Sequence, residues 1–238
     1  MSGFRRFFVD KVSDVTVVDG EEFKHAVSVL RIKVGEKIYI CDSCGKEYVA
    51  EITSINKKEF LAKTLQESVN VCEPKSNVML ICGYLKGDKT ELIVQKAVEL
   101  GVNKIVTFSS EFSSAFMNDN KLNRLNRVAV EACKQCGRAK VPNVLYAETF
   151  EKALEYGNEY QNKLFACEFA ESNKADLFNL NGSVAIVVGS EGGFSQKESE
   201  LATSLGYQTV YLGKRILRAE TACIALSAIV MHSLKEME

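Results

Sequence analysis

The chain has 238 residues, of which 46% are hydrophobic and 26% charged, a composition typical of a soluble globular protein. Its 30 basic and 31 acidic side chains give a formal net charge of −1, so any nucleic-acid contact requires a local basic patch. The N-terminus lacks the apolar run of a signal peptide, and no apolar stretch is long enough to cross a bilayer. We therefore expect a cytoplasmic protein without a membrane span.

Eight cysteines without a secretion signal favour reduced thiols over a disulfide framework. Two Cys-x-x-Cys pairs, Cys41/Cys44 and Cys133/Cys136, could together supply a four-thiolate zinc site. Their separation along the chain is far larger than the usual spacing of such pairs. The first pair also fits a β-hairpin, and the second fits the apolar face of a helix. We therefore expect no metal.

Short alternating runs dominate the first part of the chain: FFVDKV, KIYICD, EYVAEI and FLAKTL. Alternation with period two, punctuated by glycines, predicts a small β-rich domain. The pattern stops around ESVNVCEPKSN, which contains Pro74, one of only two prolines. We therefore predict a boundary near residue 72, with domains over residues 1–72 and 73–238.

From Asn77 onward, apolar strands alternate with helical stretches. The predicted strands are VMLICGYL, KIVTF, NVLY, KLFACE, VAIVVG and TVYLG. One helix is expected to open at an Asp88/Glu91 capping pair and to stop at Gly101, and another to open at a Ser195/Glu198 capping box. This alternation predicts an α/β domain with a mostly parallel sheet.

Two helices have unusual surfaces. The segment 121–136 is amphipathic, and four basic residues follow its polar side: Arg124, Arg127, Lys134 and Arg138. This face is either an RNA-binding stripe or an ordinary solvated surface. The last helix, over residues 220–235, is apolar around much of its circumference, which favours packing on the sheet and on a second subunit.

A glycine-rich turn follows the predicted strand VAIVVG and reads Gly-Ser-Glu-Gly-Gly. A strand, a glycine turn and a helix outline a nucleotide-binding loop, but the glycine spacing matches neither the dinucleotide nor the Walker pattern. Glu191 would also repel a phosphate at the helix N-terminus. The turn therefore favours a ligand without phosphate, although Glu191 could instead cap the amides of the following helix.

A second turn of the same kind lies in YLGKRILRAETACIAL. Both turns should lie at the carboxyl edge of the sheet, where open α/β folds bind ligands. The shared pocket would combine backbone groups with Leu212, Ile216 and Leu217, a lining that suits an adenine and a ribose.

These two segments resemble the signature segments of SPOUT-class RNA methyltransferases that use S-adenosylmethionine. With FRRFFV, HAVSVLRIKVGE, KGDKTELIVQKAVELGV and EACKQCGRAKVP, the chain resembles the RsmE family, which methylates N3 of a uridine in 16S ribosomal RNA of the small subunit. The resemblance implies a SPOUT-type parallel sheet with a deep C-terminal trefoil knot, an N-terminal PUA-like barrel that binds RNA, and a homodimer. S-adenosylmethionine carries a positive sulfonium and no phosphate, so a carboxylate in the turn is compatible with it.

The resemblance assigns roles to individual residues. Cofactor-binding residues would be Gly189, Glu191, Gly192, Gly193, Leu212, Gly213, Ile216, Leu217, Thr221 and Ala222. Arg218 is the candidate catalytic residue, stabilising negative charge on the uracil, although it could instead pair with Glu220 or a phosphate. Arg5 and Arg6 fit an RNA-contacting strand, and His25 and Arg31 occupy RNA-facing positions of the family.

The sequence departs from the family pattern at two places. The turn has Gly-Ser-Glu where Gly-Pro-Glu is common, and Phe112 stands where an arginine commonly follows Ser-Glu. The second change puts one RNA or subunit contact in doubt. Two other functions remain open: a nucleotide-binding enzyme of another class, disfavoured because no G-x-G-x-x-G follows a strand, and a non-enzymatic RNA-binding protein that retains the fold.

Overall fold

The structure, a computed structural model, describes residues 4–112, 116–167 and 175–238. The chain divides into two compact units. The first comprises Met1–Glu73 and Cys133–Val141, and the second comprises Pro74–Ala132 and Pro142–Glu238.

The first unit is built on a five-stranded sheet. Its strands are β1 (Arg6–Phe8), β2 (Val15–Val18), β3 (Lys37–Cys41), β4 (Glu47–Ile55) and β5 (Phe60–Ser68). Their order is β1-β3-β4-β5-β2, with β1 parallel to β3 and the other pairs antiparallel. Alternate residues such as Ile38, Ile40 and Ile52 are fully buried in one core, where the Phe7 and Phe60 rings meet edge to face. The predicted β-rich character is confirmed.

One helical element of this unit was not expected. Helix α1 (Gly20–His25) continues into a π-helical turn (Ala26–Leu30), which ends where Arg31 adopts a left-handed conformation with φ of 52°. Phe23 and Ala26 anchor the element in the core. No predicted element covers this segment, and its β-branched valines favour a helix only weakly.

A buried ion pair joins Arg6 of β1 to Glu47 of β4. Glu47 is only 3% exposed, and its carboxylate accepts hydrogen bonds from Arg6 Nε (2.9 Å), Asn70 Nδ2 (3.0 Å) and Ser68 Oγ (3.1 Å). Arg6 Nη2 also donates to the same carboxylate. The Arg6 guanidinium therefore has its partner inside the protein, which argues against the predicted phosphate contact at this position.

The second unit contains a six-stranded, fully parallel sheet. Its strands are β6 (Val78–Gly83), β7 (Lys104–Phe108), β8 (Asn143–Ala147), β9 (Asn162–Ala166), β10 (Val184–Val188) and β11 (Gln208–Val210). The order is β11-β9-β10-β6-β7-β8, so the chain first builds outward from β6 on one side and then crosses to build the other side. The predicted parallel α/β sheet is confirmed. The trefoil knot stays a prediction.

Five helices accompany this part of the chain: α2 (Lys89–Glu99), α3 (Asp119–Cys136), α4 (Phe150–Glu155), α5 (Gln196–Ser204) and α6 (Ala219–Ser233). Helix α6 packs on β6, β10 and α2, whereas α4 packs on β7 and β8 and contacts α5. Ile81 belongs to the core cluster that includes α4 and α5 residues, and its neighbour Cys82 contacts Cys223 of α6. Because successive strand residues point to opposite faces, these helices cover both faces of the sheet.

Two of the three predicted helix signals are confirmed. Ser195 and Glu198 form a reciprocal capping box at the start of α5. Gly101, with φ of 97°, ends α2 in a motif in which Val102 N–H donates to the Ala97 carbonyl. The Asp88/Glu91 capping pair is wrong.

Asp88 makes no side-chain hydrogen bond to the helix that it precedes. Glu91 faces away from the helix start and receives the Arg124 guanidinium, with Nε and Oε1 2.8 Å apart. A D-x-x-E spacing alone therefore did not distinguish a cap from an ion pair between helices.

The two adjacent arginines of β1 should have different effects on folding. Arg6→Ala leaves the buried Glu47 carboxylate without its cation, which we expect to lower the free energy of unfolding by about 3 to 5 kcal/mol. Arg5, which is exposed and 3.5 Å from Glu36, should contribute less than about 1 kcal/mol. Urea denaturation of both alanine variants measures the difference. Equal effects would contradict the assignment of Arg6 as a structural residue.

Candidate active site

A pocket of the second unit lies at the carboxyl ends of β9, β10 and β11. It has a volume of about 700 Å³. Its walls are the residues that follow these strands: Ala166–Cys167, Val188–Gly193, and 210–220 with Ala222. The pocket therefore lies at the carboxyl edge of the parallel sheet, where open α/β folds bind ligands.

The first turn of the pocket is held against the ends of β6 and β7. A Cβ atom at Gly83 would lie 2.5 Å from the Ser190 backbone nitrogen, so only glycine allows this approach. Ser190 Oγ also lies 3.0 Å from Ser110 Oγ, which follows β7. The turn closes with a hydrogen bond from Gly193 N–H to the Ser190 carbonyl. The turn is therefore fixed by backbone packing.

Below this turn lies an aromatic floor. The Phe194 ring contacts Phe165 at a centroid distance of 4.5 Å and Phe150 at 5.2 Å, and it stacks at 6.4 Å on Phe108. Phe194 is almost completely buried. The residue directly after the glycine turn thus anchors it in the core before α5 begins.

Glu191 is not a helix cap. Ser195 caps α5, while the Glu191 carboxylate accepts a hydrogen bond from Lys89 Nζ at 2.9 Å. Burial alone would raise the pKa of the Glu191 carboxyl. The hydrogen bond and the charge of Lys89, together with the backbone N–H groups of Glu191 and Lys86, outweigh this effect and lower the pKa. The capping alternative is therefore excluded, and the carboxylate remains ionised beside the pocket.

Lys89 lines the pocket, although the sequence patterns did not point to it. It is the first residue of α2 and lies 102 positions before its partner. The only available signal was the position of KGDK just after β6, at the same edge of the sheet.

The second turn supplies most of the remaining wall. Gly213, with φ of 99°, follows Leu212, and the chain then passes over the pocket to Arg218, which begins α6. The Ile216 side chain is 95% exposed. Within the described segments, the Arg218 guanidinium has no carboxylate partner, so the predicted alternative of a pair with Glu220 is not found.

The pocket brings together ten of the eleven residues assigned to the cofactor and to catalysis. Those that line it are Gly189, Glu191, Gly192, Gly193, Leu212, Gly213, Ile216, Leu217, Arg218 and Ala222. Thr221 does not line it and is exposed on the first turn of α6. Two segments that were predicted as a pair thus share one cavity.

The predicted RNA-binding residues of the first unit have different environments. Arg5 and Arg31 are exposed and His25 is half-buried, whereas Arg138 is only 2% exposed. The Arg138 guanidinium lies on the Glu73 carboxylate, with Nε and Oε2 3.2 Å apart. The prediction that Arg138 follows the exposed face is therefore wrong, because it comes after the end of α3 and its charge is neutralised internally.

The other basic residues of the predicted stripe also have different surroundings. Lys134 Nζ forms an ion pair with Glu22, and its side chain is mostly buried. In the second unit, Arg124 is exposed but paired with Glu91. Arg127 is exposed and has no acidic partner within the residues that the structure describes. Of the four, only Arg127 combines an exposed side chain with a charge left unneutralised.

None of the helices in the described segments has the length and apolar character needed to span a bilayer. Across the same segments, no three histidine, cysteine or acidic side chains are grouped so that they could hold a metal ion.

Two family models match the chain. An RNA methyltransferase domain matches residues 72–231, and an RNA methyltransferase PUA domain matches residues 18–65. The first match contains both turns of the pocket, and the second lies within the five-stranded unit.

Curated relatives and solved structures agree with these matches. The ribosomal RNA small subunit methyltransferase E of Bacillus subtilis is 33% identical over 227 residues, covering 89% of this chain and 88% of the relative. That of Mesomycoplasma hyopneumoniae is 32% identical, covering 93% and 96%. A crystal structure of a ribosomal RNA small subunit methyltransferase E from Neisseria gonorrhoeae bound to S-adenosyl methionine has a TM-score of 0.88 at 32% identity, covering 97% and 98%.

The family models and the relatives match almost the entire length of the chain, and the methyltransferase match contains both turns of the pocket. The chain therefore belongs to the RNA methyltransferases and, among them, to the family of ribosomal RNA small subunit methyltransferase E.

Proposed function

We propose that the protein transfers a methyl group from S-adenosylmethionine to N3 of a uridine in 16S ribosomal RNA of the small subunit. The observation that carries this proposal is the pocket between the two turns, in a fold that matches the Neisseria relative bound to S-adenosyl methionine. The uridine and its N3 atom come from the resemblance to the RsmE family.

The residues present fit this cofactor. The walls offer apolar side chains such as Val188 and Leu217 for an adenine, and exposed backbone groups of both turns for hydrogen bonds. Two carboxylates, Glu191 and Glu220, and four cationic side chains, Lys89, Lys214, Arg215 and Arg218, line the pocket, a set that can pair with both the positive sulfonium and the carboxylate of the cofactor. The volume of about 700 Å³ lies in the range of ordinary small-molecule sites.

When bound, S-adenosylmethionine supplies an electrophilic methyl group on a positive sulfur. The main task of the chain is then to hold the uracil nitrogen in line with that methyl group. The N3 proton must leave, and negative charge spreads onto the neighbouring carbonyl oxygens. Arg218 lines the pocket with its charge uncompensated by a carboxylate among the described residues, so we assign it to stabilise that charge and orient the base.

RNA binding is assigned mainly to residues 1–72 and methyl transfer to residues 73–238. Exposed Arg5 and Arg31 are the favoured phosphate contacts in the first unit, and Arg127 is favoured on α3. Arg6 and Arg138 are better explained as structural residues because each has an internal carboxylate.

The exposed arginine of β1 gives a test of the RNA-binding assignment. Arg5→Ala should reduce the salt dependence of RNA binding by about 0.7 to 0.9 per lost phosphate contact, with nearly unchanged stability. Binding titrations at several salt concentrations measure the slope. An unchanged slope would remove Arg5 from the RNA contacts.

The proposed reaction can be tested directly. Small ribosomal subunits from a strain lacking the enzyme are incubated with the protein and labelled cofactor, and the modified base is mapped by mass spectrometry. We expect label on N3 of one uridine. Label on a cytidine or on a ribose hydroxyl would refute the N3 assignment, and absence of label from all RNA would favour a non-enzymatic RNA-binding protein.

The cofactor pocket predicts the effect of Gly193→Val. Gly193 lines the pocket with φ of 68°, where a β-branched residue is strained and its side chain would alter the turn. We expect the variant to lose at least about a hundredfold in affinity for S-adenosylmethionine by calorimetry, or about 2.8 kcal/mol. Gly206→Val is the matched control, since Gly206 has φ of 84°, open space around it and no place in the pocket. Equal affinities of wild type and Gly193→Val would refute this placement.

We also propose a homodimer in the cytoplasm. Helix α6 buries one side against its own unit, yet Ile229 is 36% exposed and Ile224 is only partly buried. Such apolar residues on the outer side of a packed helix favour a further protein contact. Sedimentation at micromolar concentration should give about twice the chain mass of 26.4 kDa. A monomer at that concentration would contradict the proposal.

A further inference from the structure

Two carboxylates line the cofactor pocket, and their surroundings differ. Glu191 has the Lys89 ammonium at 2.9 Å, which balances its charge. Glu220, in the first turn of α6, has no cationic partner within the described residues. The pocket therefore has one neutralised and one unbalanced acidic group.

Part of the Glu220 carboxylate is also cut off from water. Its Oε2 atom is buried and has no hydrogen-bond partner among the described residues, although the side chain as a whole is only half-buried. A buried carboxylate oxygen without a partner is unfavourable, because desolvation is not repaid by a hydrogen bond or an opposite charge. A positive ligand in the pocket would remove this imbalance.

Lys214, Arg215 and Arg218 line the same pocket, but none of them forms an ion pair with Glu220 within the described segments. Cys223 lies near Glu220, and burial, the contact with Cys82 and the charge of Glu220 raise the pKa of the Cys223 thiol well above its usual value. Arg218, two residues earlier, is exposed and makes no ion pair within the same segments. A cationic ligand bound in the pocket would therefore supply the direct positive partner that Glu220 lacks.

We infer that Glu220 is the residue that makes the pocket prefer the sulfonium cofactor over the neutral thioether product. This inference rests on the proposed function. The carboxylate acts through its field and does not need to touch the sulfur, which agrees with the burial of Oε2. The role differs from that of the proton acceptor, which must reach the uracil N3.

The methyl transfer itself gives this preference a consequence. In this reaction the methyl carbon–sulfur bond would break with its electron pair staying on sulfur, which would become neutral, and the electron pair left on N3 after its proton has passed to a base would form the new N–C bond. The interaction with Glu220 therefore weakens when the reaction is complete. The same carboxylate would favour binding of the reactant and release of the product.

The test compares two ligands that share every group except the methyl and its charge. Calorimetry measures the affinities of wild type and Glu220→Gln for S-adenosylmethionine and S-adenosylhomocysteine. We expect the variant to bind the first about tenfold more weakly, equivalent to about 1.4 kcal/mol, and the second less than about threefold more weakly. Glu220→Asp should restore most of the preference, because it keeps the charge.

Two controls separate an effect of the Glu220 charge from a general loss of structure. Glu200→Gln, an exposed carboxylate on α5 outside the pocket, should change neither affinity. The ligand-free Glu220→Gln variant should melt at the same temperature as wild type or higher, because it removes an unpaired buried charge.

Three other results would contradict the inference or the proposed function on which it rests. Equal losses of affinity for both ligands would overturn the inference and indicate that Glu220 binds the amino group that both ligands carry. Unchanged affinities with a lower turnover would overturn it in favour of proton transfer. Failure of wild type to bind either ligand would refute the proposed function itself.

Discussion

The pocket depends on one close approach between two backbones. The turn after β10 lies so near the end of β6 that position 83 has no room for a side chain, and Phe194 locks the other end of the turn into the aromatic floor. A rigid support of this kind suits a reaction whose catalysis consists mostly of alignment, because small displacements of the reacting groups reduce the rate strongly. The second turn then completes the pocket next to a first turn whose position is already fixed.

Charged side chains have different kinds of partner in the two units. In the first unit, Glu47 and Glu73 hold Arg6 and Arg138 inside the protein, so basic residues expected on an RNA surface serve folding. In the second unit, Glu191 and Glu220 line the pocket, and Arg218 has no acidic partner in the described segments. A chain with almost no net charge can therefore bind an anionic polymer and a cationic cofactor, because the relevant charges are separated locally.

Local patterns predicted much of the fold, and long-range relations account for what they missed. Apolar runs located the strands, and the Ser195/Glu198 box located α5, because both depend on a few adjacent residues. The Lys89–Glu191 pair could not be predicted, since it follows from the order of the strands and not from spacing. The burial of Arg138 could not be predicted for a similar reason, because its partner Glu73 is 65 positions away in the sequence. The helical turn over 26–30 was not predicted either, because its valines favour a helix only weakly and tertiary packing determines its conformation.

The strand order also has a kinetic consequence. The first turn of the pocket requires β10 to pair with β6 and Ser190 to meet Ser110, 80 positions earlier in the chain. Contacts between such distant segments form slowly, since the closure entropy is lost before the contact stabilises the chain. The pocket should thus be among the last parts of the second unit to assemble. A nascent or partly unfolded chain would have no site for the cofactor, so cofactor binding reports completed folding and stabilises only that state.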